Sequence, residues 1–193
     1  MDLNIKAKLW QQMMNYAQLS LPNEVTGIGL IEHTEGSDQL YVREIFLPNQ
    51  EVNPVFSQFS ETGLHEIITD LIPDRIDDVE KLKFRWHSHG TGGVFFSGQD
   101  KADIEAWDGD WVVNVIINAR GEWTARMDIF RPFRLENYPI NLVIDYTDDE
   151  ITPKLEAELK QKVSLLPLPP QKPLMKGGEN QYGTQLLGPD EVI

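Results

Sequence analysis

The sequence contains no cysteine. That excludes disulfides, thiolate-held zinc and a cysteine nucleophile together, so any metal must be bound by imidazole and carboxylate. It also fits a reducing, cytoplasmic setting. Basic residues are scarce, with 17 Lys and Arg against 31 Asp and Glu and a net charge of −14. Such a field repels phosphate backbones, and no Lys/Arg cluster offsets it, so no nucleic-acid partner is expected. Long apolar runs are missing too. The opening MDLNIKAKLW has no apolar stretch after its basic residues, and nothing approaches membrane-spanning length, so no membrane association is expected. Histidine is equally sparing, four in 193 residues, yet two of the four stand two positions apart.

Apolar residues make up 40% of the chain, enough for a real core in one compact domain. Ile5, Leu9, Met13 and Ala17 recur at helical spacing and predict an opening helix that ends near Leu19. Thr26 to Ile31 reads as a buried strand. Gln39 to Leu47 reads as a second strand, with Leu40, Val42 and Phe46 on one face, and Glu35-Gly36-Ser37-Asp38 turns one into the other as an antiparallel pair. Pro48 to Ser57 reads as irregular. Leu64, Ile67, Ile68 and Leu71 predict a helix that Pro73 stops. Leu82, Phe84 and Trp86 alternate with charged residues in a strand that runs into the histidines. A helix over Asp100 to Trp107 follows, then a hairpin of Trp111–Ile117 and Trp123–Phe130, with Leu142–Ile144 as a further strand. The interleaving implies a mixed, partly antiparallel sheet flanked by helices, an α/β fold. Residues 1–148 form the expected domain. Residues 149–193 are read as a helix over Glu150–Val163 and an extended tail rich in proline and glycine.

The chemistry concentrates in His87-Ser88-His89, seven residues, Ser97, two residues, Asp100. Side chains two apart on a strand project from one face, so both imidazoles can converge on one ion. Gly90, Gly92 and Gly93 let the chain turn back, and Asp100 enters from the start of the next helix as a third ligand. Two imidazoles and one carboxylate suit zinc and leave a fourth position open, as catalytic rather than structural sites do. Ser97-x-x-Asp100 also reads as a variant capping box, and the two readings are compatible. A base is still required to move protons, and Glu24, in Pro22-Asn23-Glu24-Val25-Thr26-Gly27, is the remote candidate. Spacing alone does not bring it to the histidines; by composition it is an ordinary loop acid. Trp10, Trp107, Trp111 and Trp123 read as packing residues. His33 and His65 read as solvated, and Gly177-Gly178 as linker rather than substrate mimic.

With these residues in hand, the sequence resembles the JAMM metalloproteases, also called the MPN or JAB domain family, over about residues 5 to 135. The resemblance rests on Pro22, Glu24 and Gly27, then Trp86, His87-Ser88-His89, Ser97 and Asp100. Leu47-Pro48-Asn49, Phe56 and Phe59 resemble the linking segment of small members. It implies a cytidine-deaminase-like α/β/α sandwich with one zinc held by His87, His89 and Asp100. It also implies Glu24 as the general acid/base and Ser97 as a donor to the tetrahedral oxyanion. The activity it implies is hydrolysis of a peptide or isopeptide bond after the C-terminal glycines of ubiquitin or a ubiquitin-like protein, a deubiquitinase- or desumoylase-like deconjugation.

Two features depart from the family pattern. Gly90 stands where proline is common after the second histidine, and Gly92 to Phe96 is unlike the loop of eukaryotic members. Neither is a proposed ligand, so both bear on substrate choice. No long insertion of the kind that grips a second ubiquitin follows Asp100, which points to the small prokaryotic-type members. Some of those accompany E1-like and E2-like proteins; others act on sulfur-carrier proteins. RadC-like members carry His-Asn-His-Pro, absent here, and cytidine deaminases need Cys-x-x-Cys. The expected partner is thus a ubiquitin-like or sulfur-carrier protein with a Gly-Gly tail. The alternatives are a catalytically silent MPN scaffold or binding module, and a metallopeptidase acting on a small peptide or carrier conjugate.

Overall fold

The computed structural model describes residues 1–34, 36–60 and 62–147. The expected division after residue 148, the helix at Glu150–Val163 and the Pro/Gly tail lie outside the described residues. Among the described residues, ten strands and three helices follow in the order β1 (Asp2–Lys6), α1 (Ala7–Leu19), β2 (Thr26–His33), β3 (Gln39–Phe46), β4 (Gln50–Asn53), β5 (Phe56–Phe59), α2 (Gly63–Val79), β6 (Phe84–Ser88), α3 (Gly98–Glu105), β7 (Trp111–Ile117), β8 (Trp123–Ile129), β9 (Leu135–Pro139) and β10 (Asn141–Asp145). Eight of the strands form one sheet in the order β10-β1-β3-β2-β6-β7-β8-β9, and β4 and β5 form a separate hairpin. The sheet is mixed. β1 runs parallel to both β10 and β3, β6 runs parallel to β7, and the remaining pairs are antiparallel.

Apolar side chains cover both faces. On one, Trp10, Met13, Met14 and Ala17 of α1 pack with Leu3, Ile5, Phe84, Trp86, Val113 and Val115 of the sheet. On the other, Leu71, with Leu64, Ile67 and Ile68 of α2, covers Ile28 and Leu30 of β2. Each such side chain, fully buried, contributes about 1.5–3 kcal/mol relative to exposure. The result is the α/β/α sandwich with a mixed, partly antiparallel sheet expected from the sequence.

Several local expectations are corrected. Ile5 belongs to β1, not to the first helix. Leu3 and Ile5 are both buried at strand period, and the i, i+4 series from Ile5 hid that five-residue strand. The segment expected to be irregular holds the β4–β5 hairpin, whose strands are short and contain no buried residue, and so lack an alternating pattern. Pro73 does not end α2. The helix passes through it, departs from helical geometry at Arg75 (φ −142, ψ 38) and resumes to Val79. A register shift opposite Leu30 and Ile31 adds one residue to β3. Ile45, not Phe46, therefore shares the face of Leu40 and Val42, while Phe46 packs on the α2 side. β9 was not anticipated from the sequence.

One close approach matters for the site. Gly27 pairs with Trp86 in the β2–β6 ladder, and a β-carbon on Gly27 would lie 2.4 Å from the Trp86 indole Nε1. The ring is 1% exposed and stacks on Tyr16 of α1 at 6.2 Å, so it has nowhere to move. Gly27→Ala is expected to cost about 1–3 kcal/mol as an overpacked core substitution. A lower denaturation midpoint with unchanged slope would report it; an unchanged midpoint would mean that the ring is free to shift.

Candidate metal centre

In β6 the side chains alternate. Phe84, Trp86 and Ser88 are buried towards α1, while Arg85 and His87 face the side covered by α3. His89 follows the strand end, and its backbone N–H donates to Ile117 O of β7 (2.9 Å). The chain then turns at Gly90, whose φ is +51. Proline is held near −65°, so it cannot adopt this backbone, which accounts for the departure at that position. Gly90 O accepts from Ala119 N (2.8 Å), and the Asn118 side chain donates to Gly92 O (2.8 Å). These bonds tie the glycine turn to the β7–β8 hairpin, and the loop returns so that Ser97 starts α3.

Ser97 is the N-cap of α3. Its Oγ accepts from Asp100 N (3.2 Å), and its backbone N–H donates to Asp100 Oδ2 (2.6 Å), a reciprocal capping box. The capping reading of Ser97-x-x-Asp100 therefore holds. The cap also aims the other oxygen: Asp100 Oδ1 lies 3.2 Å from His87 Nε2, and Oδ2 lies 3.8 Å from His89 Nε2. The two Nε2 atoms are 3.1 Å apart. Ligand atoms of the three residues all lie within 4.8 Å of one another.

The tautomer of His89 is fixed by its partner. Nδ1 lies 2.9 Å from Gly93 O, which can only accept, so Nδ1 carries the proton and Nε2 presents a lone pair. The His89 ring also meets the edge of Phe95, with centroids 5.2 Å apart. These separations are close to the spacing of neighbouring donors on a tetrahedral zinc, which stand about 3.3 Å apart. The donor set is thus compatible with a metal ion. Burial pushes the Asp100 carboxyl up, but the contacts from the His87 ring and from Ser97 outweigh it and hold the group well below the ordinary range.

Glu24 is brought in from the β2 side by a set of clamps. Its backbone N–H donates to Asn53 O (3.0 Å), and the next residue, Val25, exchanges two bonds with Ser88: Val25 N to Ser88 Oγ (3.0 Å) and Ser88 N to Val25 O (2.8 Å). Thr26 N donates to Gln50 Oε1, Gln50 Nε2 returns to Thr26 O, and Thr26 Oγ1 donates to Trp86 O. Glu24 thereby lines one cavity of about 300 Å³ with His87, His89, Ser97 and Asp100. Burial raises its pKa and Asp100 adds to the rise, against the opposing influence of His89. A carboxyl shifted upwards in a cleft is poised to exchange protons nearer neutrality.

All five residues singled out in the sequence meet in this cavity. Sequence reasoning missed the supports: Ser88, fully buried inside the His-x-His step, Gln50, and Asn118, also fully buried. Ser88 gave a faint signal, as a small hydroxyl on the buried face of a strand that needs a partner. Gln50 and Asn118 gave none. His33 and His65 are exposed as expected.

The family model of prokaryotic homologues of the JAB domain matches residues 6–129. No curated protein matches the sequence. Among solved structures, the solution structure of protein DSY2949 from Desulfitobacterium hafniense is similar, at 21% identity over 75% of this chain and 94% of that one, with a TM-score of 0.48. No helix among the described residues is long and apolar enough to cross a membrane.

Proposed function

The chain belongs to the family of prokaryotic homologues of the JAB domain, and from that membership we propose that it is a zinc-dependent peptidase or isopeptidase. Its substrate is an amide bond that follows the C-terminal glycines of a ubiquitin-like or sulfur-carrier protein. The observation that supports this most directly is the convergence of His87, His89 and Asp100 within 4.8 Å, in a cavity that Glu24 also lines.

His87, His89 and Asp100 would hold the ion, with Gly93 O fixing one ring and Ser97 N the carboxylate. A divalent ion held there supplies Lewis-acid activation of water and of the scissile carbonyl. Glu24 accepts the proton of the attacking water and returns it to the leaving amine; its raised pKa suits both directions. Ser97 Oγ spends an acceptor position on Asp100 N, so its hydroxyl hydrogen is free to donate to the developing oxyanion. The exposed side chains of Val55 and Phe95 stand at the cavity rim. An extended glycine tail between them would take its affinity from main-chain hydrogen bonds.

The test is metal removal and return. Protein purified at neutral pH is expected to carry about one zinc per chain by elemental analysis. Chelation should abolish hydrolysis of a Gly-Gly-linked carrier fusion, and added zinc should restore it. A chain that takes up no divalent ion would favour a silent binding module.

A further inference from the structure

The loop from Gly90 to Ser97 joins His89 to the helix that presents Asp100, and its hydrogen bonds cluster at its two ends. Gly90 O and Gly92 O accept from Ala119 N and Asn118 Nδ2, Gly93 O accepts from His89 Nδ1, and Ser97 N donates to Asp100 Oδ2. Between these anchors lie Val94, Phe95 and Phe96, and among the described residues no hydrogen bond holds them. Two ring contacts take that place. Phe95 meets the His89 ring with centroids 5.2 Å apart, and the Arg126 guanidinium lies over the Phe96 ring, 5.2 Å from its centroid. The middle of the loop is thus gripped by a metal donor on one side and by β8 on the other.

The cation is itself fixed. Arg126 and Asp128 stand two apart on β8, 8% and 1% exposed, and pair in a bidentate fashion through Nε (2.8 Å) and Nη2. Arg126 is also the ladder partner of Asn114, which lines the metal cavity. An ion pair taken out of water contributes little more to folding than apolar residues of the same volume, and often less. What it offers that they cannot is a cation held in one place with a flat face turned to a ring.

We infer that Arg126 is a positioning residue for the metal centre: held by Asp128, it pins Phe96 and so fixes the point at which Ser97 begins α3. The effect passes along the chain. Phe96 is bonded directly to Ser97, and the Ser97 N–H sets Asp100 Oδ2, leaving Oδ1 towards His87. A side chain free to turn at position 96 would let the cap shift and the carboxylate with it. Both imidazoles would stay where β6 and Gly93 O hold them. Cation–π attraction suits the task because it strengthens where the cation is desolvated, as this one is. The role rests on the reading that His87, His89 and Asp100 bind a metal, yet the loop contact is testable without one.

The experiment follows amide hydrogen exchange by NMR on the full metal-free chain, then zinc affinity by chelator competition on the same samples. Phe96→Leu keeps an apolar side chain and removes the ring. Exchange at the Ser97 N–H is expected to quicken about tenfold and zinc affinity to fall about tenfold, the low end of what a partner behind a ligand is worth. Amides of β7 should exchange at the parent rate, which a general loss of stability would not allow. Phe96→Tyr keeps the ring and should hold both readouts near the parent. Arg126→Gln combined with Asp128→Asn leaves no buried charge alone and should match Phe96→Leu. Adding Phe96→Leu to that pair should change neither readout further, because both remove one contact. Unchanged Ser97 exchange in Phe96→Leu overturns the role, as does full additivity of the loop and pair variants or a Phe96→Tyr chain that behaves like leucine. Should the pair variant not fold, the comparison of leucine with tyrosine decides alone. If the chain takes up no zinc, the proposed hydrolase fails, while Ser97 exchange still decides whether Arg126 positions the loop.

Discussion

Glu24→Gln is expected to keep the metal and lose hydrolysis by about 10²–10⁴-fold, the usual worth of a positioned acid/base. Glutamine preserves the shape and the backbone bond from residue 24 to Asn53 O, but its amide cannot accept the proton of the attacking water. It is not among the three donors, so zinc content by elemental analysis should stay near one per chain. Stability separates this loss from a folding defect. Burial raises the Glu24 pKa, so the folded chain holds that proton more tightly than the unfolded chain does. Ionisation at neutral pH therefore works against folding, and the cost fades as pH falls into the raised range. The uncharged glutamine escapes it, so the metal-free variant should melt no lower than the parent. Turnover of a Gly-Gly-linked fusion near the parent rate would remove Glu24 from the mechanism.

How far the sequence reached depends on the range of each interaction. The donor set was legible because a strand, a turn and a helix cap are local: His87, His89 and Asp100 span fourteen residues, and the capping box both predicted and fixed the carboxylate. Long periodic strands such as β7 were equally plain. The hairpin β4–β5 was not, because its strands are short and contain no buried residue. Yet it carries Asn53 and Gln50, which clamp the segment of Glu24. Without that hairpin and Ser88, nothing local places Glu24, and only the family resemblance pointed to it. The placement of Arg85 was hidden for a related reason: its charge read as the polar half of an alternating strand, and only the lateral pairing with Asn114 shows that this half faces a cavity.

Asp100 is where fold and chemistry are hardest to separate, and two substitutions divide them. Asp100→Ala removes the third donor, the anionic charge and the acceptor for Ser97 N at once. Partners behind a ligand are worth about 10–100-fold in metal affinity, so loss of a ligand itself should exceed that range. Competition against a chromophoric chelator would read it, and hydrolysis should disappear with it. The same variant loses half of a capping box, which should lower stability by about 1 kcal/mol. Asp100→Asn keeps an amide oxygen for Ser97 N and for the helix start but forfeits the stability that the lowered Asp100 pKa marks at neutral pH, so its midpoint should fall less than that of alanine. It cannot supply the negative charge that a carboxylate brings to a dication held with the two rings. Zinc affinity should therefore fall in both variants, while the denaturation midpoint falls further in alanine, which loses the cap as well. If asparagine retained full affinity, the carboxylate would be a helix cap and not a ligand, and the metal centre would have to be sought without it.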